Sequence, residues 1–231
     1  MELIQTFKKS YFLKMSDDKH LIAQVNSSQI NIFENETYRH LAQFKEVGDA
    51  SVFFSDDSNL LLAKNNDRKL VVYDLATMSI RCKLKPKIGS SNGDGDACIS
   101  HDNKYVINLG YDFPYGYISV YDIENGKETR FREDMREVYN QIRYILQLPD
   151  GRMVFTTSGN VNLYDGVHFS YLHRTTEYVY PLNQYNGHYR IYQSGDSLLW
   201  IKDTHKLMCI DLYREEYIPD LDAYFKNREI Q

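Results

Sequence analysis

Val72-Tyr73-Asp74, Val120-Tyr121-Asp122 and Leu163-Tyr164-Asp165 close three stretches of this chain on nearly the same tripeptide. Ile32-Phe33-Glu34 and Cys209-Ile210-Asp211 are degenerate copies of it. Successive acidic positions lie 40, 48, 43 and 46 residues apart. That period is long enough for several short strands per unit and points to a repeated sheet rather than a helical solenoid.

Two further markers keep the same register. Each unit turns on a short polar pair between apolar stretches: Asp17-Asp18, Asp56-Asp57, Asp102-Asn103, Asp150-Gly151 and Gly195-Asp196. Asp, Asn and Gly suit such turns because they accept left-handed backbone angles or cap the turn with their own side chains. Gly48, Gly95 and Gly187 stand 24 to 27 residues ahead of their closing acids, and Asn140 holds the matching place in the fourth unit. Turn to closing acid leaves room for two short strands.

Five such units use the whole chain, so the expectation is all-β. It is a single β-propeller of five blades, each of four antiparallel strands. The units run over residues 10–47, 48–94, 95–139, 140–186 and 187–217. The last unit shows three clear strands, and Glu2 to Phe7 reads as an orphan strand. Pairing the two would close the ring and remove both free edges. Residues 218–231 read as a short C-terminal helix or tail, with Leu221, Tyr224 and Phe225 spaced for one face.

The Gly187-His188 pair ahead of a strand, the acidic turns and the endings at Asp74, Asp122 and Asp165 together resemble the WD-repeat family of β-propellers. In that family a Gly-His pair opens each blade and Trp-Asp ends the third strand. Here Tyr stands for Trp in three units and only one Gly carries a His. The resemblance implies a fold, and by analogy a protein-binding role, including a bacterial role in neutralising or escorting a partner.

Bulk properties narrow the function class. With 42% hydrophobic residues the chain can bury a core, and a formal net charge of −5 advertises no basic face for nucleic acid or an anionic membrane. Cys82, Cys98 and Cys209 are too few and scattered for a disulfide framework, which suits a cytoplasmic protein, and no apolar leader precedes Ser10. The 20 tyrosines fit a sheet-rich chain, since their flat rings pack on pleated surfaces.

Unequal loops supply the candidate site. Most units have short inner loops such as Asn26-Ser27-Ser28, whereas unit three carries Gly110-Tyr111-Asp112-Phe113-Pro114-Tyr115-Gly116-Tyr117. The connector into unit five carries Tyr178, Tyr180 and Tyr185. On one face, Tyr111, Phe113, Tyr115, Tyr117, Tyr178, Tyr180 and Tyr185 would make a recognition surface of rigid aromatic groups.

Reactive constellations fare worse. Asn92, Asp94 and Asp96 alternate as in a calcium loop, but Ala97 and Asn103 stand where Gly and a bidentate acid are needed. The seven histidines lack ligand spacing, so no metal is expected, and no cofactor fingerprint appears. Ser100-His101-Asp102 reads as a surface turn, because catalytic triads assemble from separated segments. Asp49 and Asp96 could line a central channel as a glycosidase pair, and Asp74, Asp122 and Asp165 read as turn residues. The expectation is therefore a non-catalytic interaction module with a protein partner. The alternatives are a lectin-like carbohydrate-binding propeller and, behind it, a glycoside hydrolase.

Overall fold

The computed structural model describes residues 6–65, 69–86, 97–112, 115–134, 144–148, 150–156, 161–164, 171–175, 190–194, 198–202, 207–211 and 216–217. Among them the chain forms twenty strands and no helix. The first sheet holds β1 (Phe12–Met15), β2 (Leu21–Val25), β3 (Ile30–Glu34) and β4 (His40–Phe44). The second holds β5 (Ala50–Phe54), β6 (Leu60–Asn65), β7 (Leu70–Asp74) and β8 (Ser79–Leu84). The third holds β9 (Ala97–Ile99), β10 (Tyr105–Asp112), β11 (Tyr115–Asp122) and β12 (Glu128–Asp134). The fourth holds β13 (Tyr144–Gln147), β14 (Met153–Thr156), β15 (Val161–Tyr164) and β16 (Tyr171–Thr175). The fifth holds β17 (Arg190–Ser194), β18 (Leu198–Lys202), β19 (Leu207–Asp211) and β20 (Glu216–Tyr217). Within each sheet hydrogen-bonded neighbours are consecutive in the chain. The chain divides into two compact units, residues 1–147 and 148–231.

In the first unit the sheets stack face to face, and the second sheet shows why. Leu61 and Ala63 of β6 with Val71 and Tyr73 of β7 share a buried cluster with Ala23, Val25, Ile30 and Ile32 of the first sheet. Leu60, Leu62, Leu70 and Val72 share another with Ala97, Ile99, Val106 and Tyr121 of the third. Alternate residues of a strand leave on opposite faces, so a strand covered on both sides must be apolar without interruption. Leu60-Leu61-Leu62-Ala63 and Leu70-Val71-Val72-Tyr73 meet that demand. The first strands of successive sheets adjoin, β1 beside β5, β5 beside β9 and β9 beside β13.

The β1–β2, β5–β6 and β9–β10 turns repeat one construction. Ser16, Ser55 and Ser100 each donate a side-chain hydrogen bond to the acid two residues on, Asp18, Asp57 and Asp102, at 2.5, 2.6 and 2.7 Å. The same hydroxyls accept the N–H of Leu21, Leu60 and Tyr105 at 2.9, 2.9 and 3.0 Å. Lys19, Ser58 and Asn103 take left-handed backbone angles, with φ of 63°, 58° and 57°. The Ser16 hydroxyl, with the His20 N–H after it, holds the Asp18 carboxyl below its ordinary value. At Asp57 burial opposes ionisation, but bonds from Ser55, Asn59 and Asn103 outweigh it and the carboxyl is again lowered.

Gly48 answers to a different constraint. A Cβ there would lie 2.4 Å from the Ser27 carbonyl oxygen and 2.6 Å from the Ser28 Cα. The β2–β3 turn therefore rests directly on the connector from β4 to β5, a contact sealed by Asp49 N–H to Asn26 O at 2.9 Å. Gly95, Gly187 and Asn140, the matching marker positions, lie outside the described residues.

The strands expected at the two ends of the chain are corrected in part. Thr6 and Phe7 are not in a strand, and Phe7 packs its ring edge-on against Phe33 of the first sheet at 5.1 Å. The fifth sheet already has its fourth strand from its own segment, since β20 pairs with β19 through Asp211↔Glu216 and Ile210↔Tyr217. An N-terminal strand is thus not needed to complete it. Residues 1–5 and the expected helix or tail over 218–231 lie outside the described residues.

Gly48→Ala is expected to cost about 2–3 kcal/mol, because the clash is with backbone that has no rotamer to yield; chemical denaturation reads it, and an unchanged midpoint contradicts the contact. Ser55→Ala should cost about 1–2 kcal/mol at pH 7 through loss of one buried and one part-buried hydrogen bond. A lowered carboxyl adds stability above the unfolded value near pH 4, and that stability is lost as pH falls through the folded value. The Ser55→Ala penalty should therefore shrink as denaturation is repeated at falling pH, once the pH drops through the lowered folded value of Asp57, and a penalty that stays constant down to the acid limit of folding would refute the coupling.

Candidate functional site

The third sheet departs from its neighbours. β10 and β11 are each eight residues long, against five or six for the corresponding strands of the first two sheets. Their register runs without a break from Tyr105↔Asp122 to Asp112↔Tyr115. The stretch Gly110 to Tyr117, expected as a loop, is therefore the end of a β-hairpin with two residues between its strands. Alternating Tyr and Gly allow this: Tyr117 stands opposite Gly110, and Tyr111 opposite Gly116. A glycine leaves a large cross-strand partner unobstructed, so a hairpin rich in both can stay paired to its tip.

Pairing sorts the candidate residues. Tyr115 and Tyr117 occupy register positions of one face, with Asp112 and Gly110, while Tyr111 takes a position on the other. β12 extends the same rows, with Tyr117↔Arg132 and Tyr115↔Asp134. Sequence reasoning missed Arg130, Arg132, Asp112 and Asp134 as neighbours of the tyrosines. Their signal was the alternation within Glu128-Thr129-Arg130-Phe131-Arg132-Glu133-Asp134, legible only once that segment is known to pair with β11. Phe113, Tyr178, Tyr180 and Tyr185 lie outside the described residues.

The hairpin has a fixed root. Asn108 and Ser119 are buried opposite each other. The Ser119 and Tyr121 hydroxyls both donate to Glu128 Oε1 at 3.1 Å. From the second sheet, Lys64 Nζ donates to the Leu109 carbonyl oxygen at 2.9 Å. The tip lies at the same end of its sheet as the β2–β3 and β6–β7 turns do of theirs. That end also holds the connector at Gly48, whose carbonyl oxygen accepts from Asn65 Nδ2 at 3.5 Å.

At the opposite end the residues with reactive side chains are committed to structure. The Ser100 hydroxyl bonds Asp102, not His101, and His101 Nδ1 instead meets the Asp56 carboxylate of the adjacent turn. Asp74 accepts the Thr77 N–H at 2.8 Å, and Asp122 accepts those of Glu124 and Asn125 at 2.8 and 3.1 Å. The Thr77 N–H, followed by its hydroxyl, holds the Asp74 carboxyl below its ordinary value. These closing acids are turn caps, as their sequence context suggested, while Asp165 lies outside the described residues. Asp49 stands in the connector with φ of 49°. Its proposed catalytic companion Asp96, with Asn92 and Asp94, lies outside the described residues. Among the described residues no helix is long and apolar enough to cross a membrane.

No protein-family model matches this chain, and neither does any curated protein. Among solved structures it is similar to the β-propeller domain of Myceliophteria thermophila Cps50 (Swd1), with a TM-score of 0.70 at 12% identity. The match covers 90% of this chain and 66% of that one, so the chain spans just under two thirds of that domain's length. At such low identity the likeness carries the fold alone, and it agrees with the β-propeller resemblance read from the repeat.

Proposed function

We propose that the five sheets are the blades of one closed five-bladed propeller, and that it acts in the cytoplasm as a non-catalytic module that binds another protein. The observation that carries this reading is the extension of β10, β11 and β12 beyond the other sheets, with Tyr115, Tyr117, Arg132 and Asp112 at positions of one face. Aromatic and arginine residues supply most of the energy at protein interfaces, and a paired hairpin presents them at low entropic cost. The propeller-like neighbour supports an interaction role at the level of the fold. The committed hydroxyl of Ser100 and the turn-capping carboxylates of Asp74 and Asp122 support a reading without catalysis. The free thiol of Cys82 is in keeping with a reducing compartment.

The test is an affinity capture of the tagged protein from host extract, read by mass spectrometry, followed by titration of the recovered partner. Tyr115→Ala with Tyr117→Ala should weaken that partner at least about tenfold while leaving the melting temperature within a few degrees. Unchanged affinity would remove the hairpin from the interface. Recovery of no protein, together with retention on an immobilised glycan, would favour the carbohydrate-binding reading instead.

A further inference from the structure

The formal net charge of −5 is the sum of two ends that differ in sign. Strand direction alternates along the chain through the first three sheets, so every turn and connector there belongs to one end or the other. At the end that holds the β1–β2, β5–β6 and β9–β10 turns, acids outnumber cations among the described residues. The fold itself employs these acids. Asp18, Asp57 and Asp102 take serine hydroxyls, and Asp74 and Asp122 cap the turns that follow their strands.

The end that holds the β2–β3 and β6–β7 turns is different. Lys8 and Lys9 precede β1, Lys45 follows β4, Lys69 precedes β7 and Lys85 follows β8. All five are exposed, and none makes an ion pair among the described residues. Hydrogen bonds fix their backbone and not their ammonium groups: Gln24 Nε2 donates to Lys8 O at 3.0 Å, and the Asn65 N–H donates to Lys69 O at 3.1 Å. Of the described acids in the same connectors, Glu46 is taken up by Lys83 Nζ at 2.7 Å, which leaves Asp49. The neighbouring hairpin carries both signs, Arg130 and Arg132 of β12 with Asp112, Glu133 and Asp134. The positive excess therefore lies over the first two sheets, beside the hairpin.

Given a protein interface at the hairpin, on which this rests, we infer that the lysine-bearing end receives an acidic segment of the partner, a stretch rich in Asp and Glu. Such a segment is drawn to one end of the unit and turned away from the other, so the polarity orients the encounter as well as speeding it. Nucleic acid fits less well. Its affinity grows with the number of phosphates neutralised together, and a chain with an excess of acids repels so dense a polyanion. The cations are lysines, compact point charges, and not the arginine forks that grip phosphate through paired hydrogen bonds.

Fluorescence anisotropy of a labelled oligoglutamate peptide tests the inference on the full chain, with circular dichroism confirming that each variant is folded. Saturable binding is expected at about 20 mM salt, weakening at least about tenfold by about 200 mM. Lys45→Glu with Lys69→Glu should raise the dissociation constant at least about fivefold. Lys19→Glu with Lys127→Glu makes the same change in net charge at the acid-bearing end, and should stay within about twofold of the wild type. Absence of binding at low salt overturns the inference. Equal effects of the two double variants also overturn it, because the attraction would then follow net charge and not the lysine-bearing end. Tighter binding of duplex DNA or of phosphatidylserine vesicles than of the peptide overturns it in favour of another polyanion. The recovered partner separates this inference from the reading beneath it. A partner weakened by Tyr115→Ala with Tyr117→Ala but not by the lysine pair keeps the hairpin interface and removes the acidic segment. A partner weakened by the lysine pair alone keeps the acidic segment and removes the hairpin.

Discussion

Burial of the second sheet on both faces is the constraint on which the first unit depends. Leu61, Ala63, Val71 and Tyr73 belong to one interface, and Leu60, Leu62, Leu70 and Val72 to the next, so neither face can be spared for water. Each side chain so covered contributes about 1.5–3 kcal/mol, and a register slip by one residue would exchange the two sets. The exchange would set Tyr73, whose ring stacks on Phe44 at a centroid distance of 4.0 Å, against the wrong sheet. Face-to-face stacking therefore fixes the register of every strand in the sheet as well as its stability.

What the cores do between sheets, the serine–aspartate turns do at their ends. Asn103 Nδ2 donates to Asp57 Oδ2 at 2.6 Å across neighbouring turns, and the His101 N–H donates to Gln147 Oε1 of β13 at 2.8 Å. The Asp57 carboxylate serves twice, closing its own turn and receiving the next. This double duty accounts for an acid at that position. Its two oxygens are saturated by bonds from Ser55, Asn59 and Asn103.

Sequence reading recovered what is local and missed what is not. The acids at Asp18, Asp57, Asp74, Asp102 and Asp122 announce their turns because each bonds residues two or three positions away. Gly48 announced a special backbone position, though the cause is the close approach of Ser27 and Ser28 and not its own dihedral angles. The serines at 16, 55 and 100 keep the same step from those acids and could have been read with them. The extent of β10 and β11 was hidden because glycine and proline usually mark loops, and only cross-strand pairing shows that Gly110 and Gly116 sit opposite tyrosines. The fourth strand of the fifth sheet was hidden by its brevity, since Glu216–Tyr217 carries no periodicity of its own. The resemblance carried by Tyr73 and Tyr121 was sound for the fold yet masks a difference between them. The Tyr121 hydroxyl reaches Glu128, whereas that of Tyr73 is buried without a hydrogen-bond partner.

The hairpin of the third sheet turns a packing device into a reach. Three residues beyond a five-residue strand extend a sheet by about 10 Å, past the ends of its neighbours. An isolated two-stranded ribbon of that length is marginal in water, so the projection needs a third strand and an anchor. β12 supplies the strand by following β11 as far as Asp134 opposite Tyr115. Lys64 supplies the anchor, gripping the Leu109 carbonyl one residue beyond Asn108, which pairs with Ala97 of β9. An ammonium bonded to a backbone oxygen holds the strand whatever side chains lie beyond it. The tip can then vary in sequence without loosening the sheet, because scaffold and surface are held separately.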